Sequence, residues 1–310
     1  MVARASLTDT AFGLGWAAVR RLPEPVAYGL FQQIADGMWR RQRGGVGQLR
    51  ANLRRVVDDA VDEPTLDKLT RDGMRSYLRY WCETFRLPTW STDDLVQRTV
   101  GHDEELLRDA AASGDGLVAV LPHMGNWDQA GAWIAATGVP FTTVAERLRP
   151  ESLFDRFVAY RESLGMEVLP LTGGDSPFLT LRRRLGEGRM ICLLGDRDLT
   201  ANGAEVSFFG LPARMPAGPA ALALTAGSPL MPVSLWYEGP VMHIRMHPYV
   251  QPPSSGTRNE KIAAMTQGVA DVFATAIAQH PSDWHMLQRL WVSDLDPKRL
   301  PEPAAESATG

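Results

Sequence analysis

Residues 116–128 read Gly-Leu-Val-Ala-Val-Leu-Pro-His-Met-Gly-Asn-Trp-Asp, and the way this stretch folds decides the architecture. The apolar run Leu117 to Leu121 follows the turn signal Ser113-Gly-Asp-Gly116. A short continuous run of this kind predicts a strand buried on both faces. A helix is expected to begin near Gly125 or Asn126. His123 then stands at the carboxyl end of a buried strand, where functional groups gather in open α/β sheets. Asp128 follows five residues later, in the first helical turn. A tight turn would let Asp128 accept a hydrogen bond from the His123 Nδ1–H and leave Nε2 as a base. Gly125 is read as removing a Cβ where substrate comes close.

The same grammar recurs along the chain. Phe141–Ala145, Glu167–Leu171, Met190–Leu194 and Pro232–Trp236 are strand candidates, with helices expected near 125–137, 151–164, 176–186 and 216–226. Val241–Met246 reads as a hairpin partner across Glu238-Gly-Pro240, and a long helix is expected over 258–279. This alternation predicts an α/β fold with a central, mostly parallel sheet flanked by helices.

The first 95 residues read differently. Pro25 opens a helix in which Phe31, Ile34 and Met38 repeat at helical spacing, widened by Leu30. Val46, Leu49, Leu53 and Val56 mark another helix; a third, after Pro64, carries Tyr77, Trp81 and Phe85 and stops at Pro88. The segment before Pro25, with Phe12, Trp16 and Val19, is apolar on most sides. The division expected is a helical, basic, membrane-associating region over 1–95, an α/β core over 96–300 and a disordered tail over 301–310.

Charge supports that division. The whole chain carries −4, which argues against a nucleic-acid partner. Residues 1–55 hold nine Arg and three acids, +6, so the remainder carries −10. A basic, apolar arm on an acidic body fits an anionic membrane surface, or a basic face paired with that body. No apolar stretch reaches the roughly 18 residues of a membrane span, and no cleavable signal is visible, so peripheral contact is expected. Cys82 and Cys192 imply no disulfide framework, and Cys192 reads as an inert core residue. His243 and His247 follow strand periodicity, so no metal site is expected. The chain has no G-x-S-x-G elbow, Walker A segment or H-E-x-x-H.

Leu121-Pro-His-Met-Gly-Asn-Trp-Asp128 resembles the H-x4-D motif of the glycerolipid acyltransferases, in the form typical of the branch with bacterial lipid A acyltransferases. Leu193-Leu-Gly-Asp-Arg-Asp-Leu199 and Val206-Ser-Phe-Phe-Gly-Leu-Pro-Ala-Arg-Met-Pro-Ala-Gly-Pro219 resemble that branch's acidic strand end and following loop, in family order. Four pieces are most similar to the phosphatidylinositol mannoside acyltransferases of actinobacteria: Val144–Pro150, Tyr160–Gly165, Asp196–Leu199 and Asp283-Trp-His-Met-Leu-Gln288. The resemblance implies a groove for the acyl chain, an acyl-CoA donor, a mannosylated phosphatidylinositol acceptor and work at the cytoplasmic face of the cell membrane. It makes His123 the base, Asp128 its orienting acid and Asp196 a further carboxylate that tunes or orients the histidine. Glu146 would bind sugar hydroxyls. Arg161 and Arg197 would hold phosphates by forked bonds, and Arg214 would do so beside a helix start. No Ser or Cys adjoins His123, so direct transfer without an acyl-enzyme is expected.

The alternatives keep the same pair. A lipid A-type or lysophospholipid acyltransferase would differ in its acceptor, and a hydrolase would activate water. A non-catalytic acyl-CoA or lipid-binding membrane protein would bind without turnover.

Overall fold

The computed structural model describes residues 7–57, 61–146, 151–171, 177–198 and 203–296. The expected tail at 301–310, residues 147–150 and Leu199 lie outside them. Four helices come first: α1 (Leu7–Arg21), α2 (Glu24–Arg40), α3 (Val46–Val56) and α4 (Glu63–Arg86). Asp62 caps α4 by accepting from the Thr65 N–H, and Pro88 lies in a short 3₁₀ turn just beyond the helix. Next come α5 (Thr92–Gln97), β1 (Thr99–His102), α6 (Glu105–Ser113), β2 (Leu117–Leu121) and α7 (Trp127–Ala136). They are followed by β3 (Phe141–Ala145), α8 (Glu151–Ser163), β4 (Glu167–Pro170), α9 (Pro177–Gly186) and β5 (Met190–Leu194). The chain continues through β6 (Ala204–Phe208), β7 (Leu211–Met215), α10 (Gly218–Ala226), β8 (Leu230–Glu238), β9 (Val241–Met246) and α11 (Arg258–Gln279).

The main sheet runs β1-β9-β8-β2-β5-β3-β4, and every pairing is parallel except β8 with β9. β2 is central and all five of its residues are buried, because both sheet faces are covered. Leu117, Ala119 and Leu121 join the core under α6, α7 and α8. Val118 and Val120 join the core under α9, α10 and α11.

Three elements differ from expectation. Thr99–His102 is an edge strand; its run is short, polar and contains Gly101, so its period is weak. His102 ends that strand. The Val206–Pro219 segment, read as a loop, is a β6–β7 hairpin followed by α10. Its turn is Phe209 (φ 50) and Gly210 (φ 72). Two left-handed central residues make the tight hairpin turn that Asn-Gly usually signals.

The helical arm has its own core. On α2 the buried residues are Ala27, Phe31, Ala35 and Gly37. The stripe is therefore rotated from the one expected. Leu30 is 43% and Ile34 42% exposed. The small residues let α2 lie close to α4 and turn the larger aliphatics outward. Asp36 on α2 accepts forked bonds from Arg71 and Arg75 of α4. Asn52 on α3 donates to the Met286 and Gln288 carbonyls at 2.7 and 2.9 Å, fastening the arm to the C-terminal segment. Trp16, on a helix apolar enough either to be buried or to lie in a membrane interface, packs on Phe85, Phe157 and Tyr160, and its indole N–H donates to the Phe85 carbonyl. That side of α1 is an internal contact.

Candidate active site

The register of two strands builds the site. Leu121 of β2 lies opposite Leu194 of β5. Two residues further along each chain bring His123 beside Asp196. The His123 Nδ1 is 2.6 Å from Asp196 Oδ1, and the His123 backbone N–H donates to Oδ2 at 2.9 Å. The Trp284 indole N–H donates to the same Oδ2 at 2.9 Å. Asp196 is fully buried. Burial alone would raise its carboxyl, but the His123 ring, the Trp284 indole and the His123 backbone N–H outweigh it and hold the group below the usual range. A carboxylate at Nδ1 sets the Nδ1–H tautomer and leaves Nε2 free as an acceptor. The Asp196 side chain therefore reaches the ring.

Asp128 does something else. It lies in the first turn of α7, and its Oδ1 accepts from Arg161 Nε at 2.7 Å while its Oδ2 accepts from the Tyr80 hydroxyl at 2.9 Å. It makes no hydrogen bond to His123. The helix start turns this carboxylate toward α4 and α8, where a buried guanidinium needs a counter-charge. Burial lowers the Arg161 pKa, but Asp128 raises it by more, so the guanidinium stays charged. The expected Asp128–His123 bond is thus replaced by an Asp196–His123 bond. Arg161, expected on a phosphate, holds Asp128. Between these two pairs stands Trp127, edge-on to His123 (centroids 5.5 Å, 79°) and packed on Tyr80 (4.0 Å).

Gly125 is also corrected. Its φ is +57°, and an added Cβ would come 2.8 Å from Leu235 Cβ. The close neighbour that demands glycine is β8, not substrate. The loop is held from its other side by the C-terminal segment. Gly125 N–H donates to the Asp283 carbonyl at 2.9 Å, and His285 N–H donates to the His123 carbonyl at 2.7 Å. Behind it, the Ser76 hydroxyl donates to Asp283 at 2.6 Å, so it accepts from His285 Nε2–H at 2.9 Å. Burial, with a smaller effect from the nearby His123 charge, pushes His285 down to about 3. It is a neutral strut.

An apolar cavity is lined by Trp127, which stands edge-on to His123; His123 and Asp196 themselves do not line it. Its empty space, open solvent at the mouth included, is about 760 Å³. Trp127, Asp128 and Arg161 stand at the carboxyl end of the strands; Phe141, Met190 and Met231 lie toward the amino end. Cys192 also lines it, with a thiol pushed up to about 12 by burial, so it is no nucleophile at neutral pH.

Glu146 is exposed just beyond β3, and Arg197 is half-buried just beyond β5, its neighbour in the sheet. Arg214 is buried on β7, where its backbone N–H donates to the Leu290 carbonyl. None of the three bonds to His123, Asp128 or Asp196. Among the described residues no group of three or more His, Cys, Asp or Glu is arranged to hold a metal ion. Sequence reasoning overlooked Tyr80, Glu83 and Trp284. The signals were a polar stripe on α4 and a Trp inside the 283–288 segment.

A family model described as bacterial lipid A biosynthesis acyltransferase matches residues 6–293. The chain belongs to that family. The acyltransferase is 48% identical over 295 residues to the phosphatidylinositol mannoside acyltransferase of Mycolicibacterium smegmatis, covering 94% of each chain. It is also 48% identical over 300 residues to the phosphatidylinositol mannoside acyltransferase of Mycobacterium tuberculosis, covering 94% of this chain and 91% of that one.

Two outcomes are expected of this acyltransferase. Asp196→Asn keeps the shape but no longer enforces the Nδ1–H tautomer, so kcat should fall by about 10²- to 10⁴-fold. Steady-state kinetics on the folded variant check this; an unchanged kcat would contradict it. The second outcome concerns His285. An unfolded histidine titrates near ~6.5, whereas the folded one is held near about 3. Between those values only the unfolded chain takes up the proton, so stability falls as pH drops through the window. Urea midpoints of His285→Gln should vary less than wild type between about pH 6.5 and 3; parallel curves would refute the assignment.

Proposed function

We propose that this acyltransferase moves a long acyl group, palmitoyl in the first instance, from acyl-CoA to a mannose hydroxyl of a phosphatidylinositol mannoside. The 48% identity over 94% of the chain to phosphatidylinositol mannoside acyltransferases carries the reading. The His123–Asp196 pair supports it, with an apolar cavity whose lining includes Trp127, the ring edge-on to His123.

In this reading the acyl chain lies in the cavity and its thioester carbonyl reaches His123. A hydroxyl is a weak nucleophile at neutral pH. The His123 Nε2 takes its proton as the hydroxyl oxygen bonds to the carbonyl carbon. Asp196 stabilises the imidazolium that forms. The carbon–sulfur bond then breaks, and the thiolate leaves and takes up the proton from Nε2. With Cys192 held protonated, no acyl-enzyme is needed. Glu146 offers acceptor oxygens to sugar hydroxyls, and Arg197 offers a guanidinium to the phosphate. Asp128 and Arg161 form the polar rim of the acyl cavity, and Arg214 is left outside the acceptor site.

We also propose peripheral docking at the cytoplasmic membrane face. Among the described residues no helix is long and apolar enough to cross a membrane. The outward face of α2 carries Val26, Leu30 and Ile34 at four-residue spacing, 53%, 43% and 42% exposed. Near its ends Arg21, Arg40, Arg41 and Arg43 are exposed and have no acidic partner among the described residues. By contrast, Arg50, Arg54 and Arg55 of α3 are paired with Glu63 and Asp294. An apolar stripe bracketed by unpaired cations fits an anionic bilayer.

The enzymatic reading is tested by palmitoyl-CoA with a phosphatidylinositol monomannoside. Wild type should acylate it, and His123→Ala should lose about 10²-fold or more. Transfer only to another lipid would shift the acceptor; no transfer to any lipid would overturn the reading. For the membrane, Leu30→Glu with Ile34→Glu should weaken co-sedimentation with anionic vesicles by at least about tenfold. Unchanged binding would remove α2 from the docking face.

A further inference from the structure

One face of α4 presents Ser76, Tyr80 and Glu83, the spacing of a helical stripe. Each meets the catalytic loop or a group that holds it. Ser76 bonds Asp283 and His285, whose backbones hold Gly125 and His123. Tyr80 bonds Asp128. Glu83 bonds Asn126.

Glu83 is the residue whose burial most needs a reason. It is 1% exposed, and its carboxylate accepts four hydrogen bonds. Oε1 takes Arg79 Nε at 2.7 Å and the Tyr28 hydroxyl at 3.0 Å. Oε2 takes Asn126 Nδ2 at 3.0 Å and the Tyr237 hydroxyl at 2.6 Å. Those four bonds fill the acceptor positions of a carboxylate. A buried charge with one cation beside it is costly unless it is so satisfied, and packing alone is served as well by an apolar side chain. Asn126 is the N-cap of α7: its Oδ1 accepts from the Gln129 N–H at 2.9 Å. The bond to Glu83 decides which end of that amide faces the helix.

We propose that Glu83 is a positioning residue for acyl transfer: by gripping Asn126 it sets the first turn of α7, and with it the Trp127 ring against His123. The inference rests on His123 being the base. Tyr28 brings α2 into the same network, so the helical arm shapes the site as well as packing beside it.

The test is steady-state kinetics of the full chain with palmitoyl-CoA and a phosphatidylinositol monomannoside. Asn126→Ser keeps an oxygen to cap α7 but has no amide to give Glu83. Asn126→Asp sets two carboxylates face to face, and adding Glu83→Gln restores a donor opposite an acceptor. Asn126→Ser and Asn126→Asp should each lower kcat by about ten- to a hundredfold, the cost of misplacing a reacting group. The KM for palmitoyl-CoA should stay within about twofold. The Glu83→Gln/Asn126→Asp double variant should recover at least about tenfold over Asn126→Asp, which a merely structural role would not give. The proposal is overturned by wild-type kcat in Asn126→Ser, by a loss confined to KM, or by a double variant no better than Asn126→Asp. Should Asn126→Asp fail to fold, Asn126→Ser decides alone. His123→Ala is run alongside: activity surviving there sinks the base assignment, and activity lost there but kept in Asn126→Ser sinks only the role of Glu83.

Discussion

A carboxylate taken out of water at the end of a strand has to be satisfied by the protein around it, or it costs several kcal/mol. Asp196 meets that demand with the His123 ring, the His123 backbone N–H and the Trp284 indole. Each partner comes from a different part of the chain, so their meeting fixes much else. β2 and β5 must be neighbours in register. The turn after β2 must be tight, which requires Gly125 against β8. The C-terminal segment must return to the loop, and it does so by pairing its backbone with residues 123–125. The histidine that results has one nitrogen committed and one available.

The site divides its labour between two acids that look alike in the sequence. Asp196 orients the imidazole. Asp128 neutralises Arg161 and ties α7 to α4 and α8. That second pair stands at the polar rim of a cavity lined mostly with aliphatic, aromatic and methionine side chains. Methionines such as Met166, Met190 and Met231 are adaptable, so this surface can settle around an alkyl chain. The arm is tied to the same region: Ser76, Tyr80 and Glu83 each touch the loop or the groups that hold it.

Much of the architecture was legible. Leu117–Leu121 and Met190–Leu194 are apolar runs with clear boundaries, and the strand–helix alternation predicts the parallel sheet in which they lie. His123 was legible because it follows such a run. Its partner was harder to read. Asp128 is five residues away and Asp196 is seventy-three. Local spacing favours the first, and only the strand order selects the second. The α2 stripe was misjudged because small residues, not large ones, make its packing face. Thr99–His102 and the β6–β7 hairpin lack the usual signals: one is short and polar, the other turns through Phe-Gly and carries Pro212 inside a strand. Glu83 shows in the sequence only as part of a polar stripe on α4, and its donors lie on four separate stretches of chain.

The central claim is that Asp196, and not Asp128, holds the Nδ1–H of His123. Nitrogen-15 NMR of the histidine-labelled protein near neutral pH reads it directly. A protected, low-field ring N–H is expected on the His123 Nδ1, surviving in Asp128→Asn and lost in Asp196→Asn. A signal lost in Asp128→Asn and kept in Asp196→Asn would contradict it.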